Sequence, residues 1–227
     1  MKPNEKVKST FKKRLSKAIT CHLELILAVH NKRNQAALET MLVEQFVMLS
    51  AVQWESFLND LIIACVLMRP DTALKNLQGR VEQSIKGKFG EKAANCMTFK
   101  VEKPITRQRV VGLLDPKDWN ITVGSAQELS TKANDFLAAK FAKKFSIDKS
   151  DAQFIDFAVA LRNFLGHRSD GSRAELKAGI QSLSEPINTA FKAMLGDVGS
   201  YLKAKDGQGT TRAVLFAQRL IQISEKL

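Results

Sequence analysis

The stretch 34–68 constrains the fold more than any other. It reads as one long helix, closed by Arg69-Pro70, because proline lacks an N–H and pushes the residue before it out of helical geometry. Phe46, Val47, Leu49, Trp54, Phe57, Leu58, Leu61, Ile62 and Cys65 give it a wide apolar face. Glu55, Ser56, Asn59 and Asp60 lie on the other side. Glu55 and Asn59 are one turn apart and can jointly present an acid and an amide. An apolar face of that width has to be covered by neighbouring helices.

The rest of the chain supplies them. A helix capped by Ser9 or Thr10 is expected to run to about residue 31, with Leu15, Ile19, Leu23, Ile26 and Leu27 as its apolar positions. A shorter one over 71–86 is interrupted by Gly79. Ser125, with Glu128 three residues on, has the spacing of a capping box. It opens a helix to about 145 with Leu129, Phe136, Leu137, Phe141 and Phe145 in the core. Ser150 or Asp151 starts the next helix, and Gly171-Ser172 introduces one over 173–183, before Pro186. A helix with Phe191 and Leu195, a Gly207-Gln208-Gly209 loop and an amphipathic helix over 210–227 close the chain.

The least helical part is 87–124. Short strands are expected at 97–101 and 119–123 around a helical turn at 107–114, with Pro104 and Pro116 as breakers. No polar linker divides the chain. The expected fold class is all-α, a single helical bundle over 1–227 with a small irregular or β-containing insertion at about 87–124.

The formal net charge is +12 and the pI about 9.7. Such an excess favours a polyanionic partner, nucleic acid before membrane, although a solvated basic surface has the same composition. Lys2, Lys6, Lys8, Lys12, Lys13, Arg14 and Lys17 crowd the start of the chain against the single acid Glu5. Cys21, Cys65 and Cys96 show no metal-ligand spacing. Cys21 and Cys65 fall in apolar helical pattern and read as buried hydrophobes, a usage that fits a reducing cytoplasm. The longest apolar run, 61–68, is short of the about 20 residues a membrane span needs. The expectation is a cytoplasmic protein with no membrane partner. His22 and His30 are eight residues apart, too far for metal ligands on successive turns, and no GxxxxGK phosphate loop occurs. Neither a metal nor another cofactor is expected.

One stretch carries chemistry: Ala160-Leu161-Arg162-Asn163-Phe164-Leu165-Gly166-His167-Arg168-Ser169. On a helical wheel Phe154, Phe157, Ala158, Leu161, Phe164 and Leu165 form the apolar face. Arg162 lies at its margin, beside Ile155 and Val159, a seam suited to another helix or another subunit. In an unbroken helix His167 would stand about 140° from Arg162. Gly166 offers an exit, since glycine readily takes the left-handed conformation that ends helices, and His167 can then bend back. Arginine presents a fixed fork of donors to phosphate oxygens, and histidine moves protons near neutral pH. Together they suit cleavage of RNA by its own 2′-hydroxyl. On spacing alone the pair also fits coincidence, or a phosphate anchor without catalysis.

Arg162-Asn163-x-x-x-His167 at a helix end in an all-α chain resembles the signature of the HEPN superfamily. The stretch 51–61, with Trp54 and Glu55, is similar to the early helix of its RiboL-PSP-like families. The resemblance implies a HEPN-type bundle and a metal-independent endoribonuclease of the defence or toxin type, acting as a homodimer with two motifs facing one cleft. Arg162 would hold the scissile phosphate and His167 would be general base or acid. Asn163 would orient His167 or the phosphate, and Glu55 would hydrogen-bond Arg162 from the neighbouring helix. An antitoxin or a nucleotidyltransferase is the implied protein partner. The alternative is a non-catalytic HEPN-like module that binds RNA, nucleotide or protein.

Overall fold

A computed structural model describes residues 2–98, 105–114, 123–184 and 188–227. Its first two helices, α1 (Pro3–Val29) and α2 (Gln35–Met68), form an antiparallel hairpin. Phe11 of α1 stacks on Phe57 with ring centroids 4.5 Å apart, while His22, further along α1, stacks on Phe46 at 4.2 Å. The long helix ends at Met68 as the proline requires. α1, however, begins well before Ser9, because Pro3 occupies the first turn, where the missing N–H costs nothing. Its far half also departs from expectation: Leu23 and Leu27 are exposed, and so is Cys21, whereas Cys65 on α2 is buried and its thiol is pushed up to about 11 by desolvation.

By length and composition α2 is apolar enough to cross a membrane, a test the run 61–68 alone does not meet. In the fold most of its apolar side chains from Val43 to Val66 are core, while Leu49 and Val52 are exposed. His22 is part of the same packing. Burial lowers its pKa below the ordinary 6.5, so the folded state holds it neutral. The unfolded chain binds that proton below about pH 6.5, and the folded chain does so only at lower pH. Stability is therefore expected to be constant through this range from above and to fall as pH drops below about 6.5. Urea titrations of wild type and His22→Phe between pH 7.5 and 5 check this, with the acid slope reduced in the variant.

Helices α3 (Pro70–Phe89) and α4 (Glu91–Asn95) follow, separated by Gly90 at φ 85°. Gly79 does not interrupt α3. A Cβ there would meet nothing within 4 Å, so glycine in this exposed helix costs only some propensity. Residues 107–114 form a helix, α5 (Arg107–Leu114), that packs Val110 into the core. Among the described residues there is no strand. Met97, Thr98 and Val123 are irregular, and the remainder of both expected strands lies outside the described residues.

The expected helix over 125–145 is three pieces: α6 (Ala126–Phe136), α7 (Ala139–Ala142) and a 3₁₀ turn, Lys143–Phe145. Ser125 caps α6 by accepting from the Glu128 N–H. The return half of the box is displaced by one residue, since Glu128 Oε2 accepts from Gly124 N at 2.7 Å. α8 (Lys149–His167) is central, and α9 (Asp170–Ser182) packs against it. A 3₁₀ turn at Thr189–Phe191, α10 (Val198–Lys203) and α11 (Arg212–Lys226) complete the fold. Phe154 and Phe157 of α8 meet Phe191 and Phe216 with centroids 5.2–6.3 Å apart. One continuous core runs from Phe11 to Leu227. The architecture is all-α.

Candidate functional site at the α2–α8 junction

Asp148 starts α8 by accepting from the Asp151 N–H at 2.8 Å, so Asp148, rather than Ser150 or Asp151, is the cap. The helix then continues through Gly166 to His167. Arg168, at φ 52°, is the left-handed residue that ends it, its N–H bonded to Phe164 O at 2.9 Å. Gly166 serves a different need from the one its sequence suggests. A Cβ there would lie 3.3 Å from the Met48 methyl, so glycine lets the last turn of α8 come close to α2.

That approach places two arginines of α8 against two carboxylates of α2. Arg162 Nη2 donates to Glu55 Oε2 at 3.2 Å, and its Nη1 donates to Asn163 Oδ1 at 3.1 Å. Arg168 pairs with Glu44 and lies over the Phe164 ring, 5.3 Å from its centroid. Glu44 and Glu55 are eleven residues apart, three turns of α2, so both face α8. Beside the Arg168–Glu44 pair lies a shallow depression floored by Met48, Leu49, Val52 and Leu165.

The Arg162 and Glu55 side chains are 34% and 27% exposed, which makes their ion pair worth at most about 1 kcal/mol of stability. Its consequence is orientation. Of five guanidinium N–H donors these contacts use two, and the side chain is partly open to solvent. His167 is exposed on the final turn of α8. With the helix unbroken, it stands about 140° round the axis and about 7.5 Å along it from Arg162.

The structure thus brings Glu55, Arg162 and Asn163 together and leaves His167 apart within one chain. The expected bend at Gly166 is replaced by a continuous helix. The seam expected at Ile155 and Val159 is corrected too: Ile155 is fully buried within the chain and only Val159 is half-buried. His22 is a core residue, and exposed His30 accepts at Nδ1 from Gln35 Nε2 at 3.1 Å. Sequence reasoning missed Glu44 and Arg168. Their only sequence signal is the eleven-residue repeat of acids along α2, which becomes meaningful once α8 is known to lie across it. Among the described residues no group of three His, Cys, Asp or Glu side chains is placed to hold a metal ion. Comparison of the chain with family models, characterised proteins and solved structures finds no match.

Proposed function

We propose that this chain is a metal-independent endoribonuclease of HEPN type, a cytoplasmic nuclease of the toxin or defence kind. Its site would be composite, with Arg162 from one protomer and His167 from a second copy. The observation that carries the reading is the Glu55–Arg162–Asn163 linkage, a half-sheltered guanidinium held in place with donors to spare. The all-α bundle and the +12 charge are consistent with it.

In this reaction a ribose 2′-oxygen attacks the adjacent phosphorus and the P–O5′ bond breaks. The products are a 2′,3′-cyclic phosphate and a free 5′-hydroxyl. One His167 accepts the 2′-hydroxyl proton, or donates one to the departing 5′-oxygen. Arg162 balances the charge that grows on the phosphoryl oxygens. Glu55 and Asn163 act through Arg162 by fixing its plane, so they are positioning residues. A second reading, a module that binds RNA or a protein such as an antitoxin or nucleotidyltransferase without cutting, is favoured by one observation: the separation of His167 from Arg162 within the chain.

Purified protein is expected to cut single-stranded RNA in excess EDTA, to leave DNA intact and to yield 2′,3′-cyclic phosphate ends. Arg162→Ala and His167→Ala are each expected to slow the cutting by about a hundredfold or more. RNA binding without cleavage would replace the nuclease by the binding module, and metal-dependent cleavage would sink this mechanism outright.

A further inference from the structure

A second feature of the α1–α2 hairpin has no part in the site above. Towards the start of α1, a cleft of about 260 Å³ opens between the two helices. Its polar lining is Lys6, Thr10 and Arg14 from α1 and Gln53, Ser56 and Asp60 from α2. The residues of α1 recur every four positions and so form one stripe on its surface.

The charges of this cleft are unevenly committed. Asp60, its only acid, is ion-paired with Arg107 of α5. Lys6 and Arg14 have no carboxylate within ion-pair distance among the described residues, although Lys12 on the same helix pairs with Glu225. Two free cations therefore border a recess whose acid is already neutralised, and that recess is fitted to anions. At 1.5 Å per residue Lys6 and Arg14 are about 12 Å apart along α1, too far to grip one phosphate and suited to two. Thr10 sits between them as a hydroxyl donor.

Gln53 adds a second observation. Its Oε1 is shielded from solvent, so the part of the side chain that the cleft can use is the amide nitrogen, a donor. A ribose 2′-oxygen or a base carbonyl is a fitting acceptor for it. The cleft also adjoins the depression at the α2–α8 junction. Val52 lines both the cleft and the depression beside Arg168, and Ser56 is the neighbour of Glu55.

We infer that this cleft seats the stretch of single-stranded RNA adjoining the scissile phosphate, with Lys6 and Arg14 each holding one backbone phosphate and the Gln53 amide donating to the strand between them. The inference rests on the reading that RNA is the substrate. It makes the basic start of α1 a strand guide in place of a merely solvated end.

The test is fluorescence-anisotropy titration of a ten-nucleotide RNA from 50 to 300 mM salt, in a His167→Ala background so that the strand survives. Loss of two phosphate contacts in Lys6→Gln/Arg14→Gln is expected to flatten the slope of log K against log salt by about 1.4 and to weaken binding roughly tenfold or more at 0.1 M. The control is Lys32→Gln/Arg33→Gln, which removes the same charge from the α1–α2 connection and is expected to change the slope by less than about 0.3. Parent-like binding by the cleft variant, or an equal loss in the control, overturns the cleft while leaving RNA as substrate. A parent protein that binds no RNA overturns both readings. Full displacement of the RNA by micromolar adenosine monophosphate overturns the strand and makes the cleft a mononucleotide site.

Discussion

Asp151→Ala is expected to destabilise the protein by about 3–5 kcal/mol, a fall of roughly 10 °C or more in Tm for a chain of this size. Asp151 is 2% exposed and Arg219 of α11 is 6% exposed, and the two are paired across the core. Lys226 Nζ also reaches Asp151 Oδ2 at 2.6 Å from the rim. The guanidinium lies over the Phe154 ring, 5.8 Å from its centroid, and its Nε already lacks a partner. Removing the carboxylate leaves a buried cation with a weak contact to Gln222 at 3.4 Å. The cost comes from that stranded charge, and the energy of the lost bond is the smaller part. The double variant Asp151→Ala/Arg219→Met should therefore recover most of the loss, because apolar replacements for both members of a buried pair are often neutral or better. Urea denaturation of the four members of the cycle decides it. Additive losses in the double variant would mean that the two side chains stabilise the fold independently.

This pair also shows where sequence reading stops. Asp151 looked like a helix start because an acid near the beginning of an amphipathic stretch normally is one. Its actual partner lies 68 residues away on α11, and no local pattern encodes that. The breaks that were legible are those made by the backbone itself: Pro70 fixes the end of α2, and Ser125 with Glu128 fixes the start of α6. The break at Leu137 was not legible, since neither glycine nor proline marks it. Leu137 is buried in extended conformation, and its carbonyl accepts from Asn76 Nδ2 of α3 at 3.2 Å, so tertiary packing ends the helix. Gly166 failed in the opposite sense. Glycine serves left-handed turns and close approaches alike, and only the position of Met48 tells which is needed here. The contact between Glu55 and Arg162, 107 residues apart, is implied by the resemblance; periodicity alone sets Glu55 on the polar side of its helix and Arg162 at the margin of an apolar face without pairing them.

A mixture of two inactive variants is expected to cut RNA. Arg162→Ala should lose about 10²–10³-fold through missing charge stabilisation, and His167→Ala about 10²–10⁴-fold through missing proton transfer. Because α8 runs unbroken to His167, the two side chains of one protomer point away from each other. A site that needs both must then take them from different copies related by a twofold axis. In a heterodimer of the two variants one site carries both lesions and the other carries none. Each heterodimer thus keeps one intact site of two, so the doubly purified species should show about half of the wild-type activity per dimer. Co-expression of differently tagged chains, purification through both tags and a single-turnover cleavage assay measure it. If the doubly purified heterodimer forms and remains as inert as its parents, Arg162 and His167 act within one chain, and α8 must bend at Gly166 on binding RNA. Failure of the two chains to associate would remove the composite site altogether and leave Arg162 as a phosphate anchor in an RNA-binding protein.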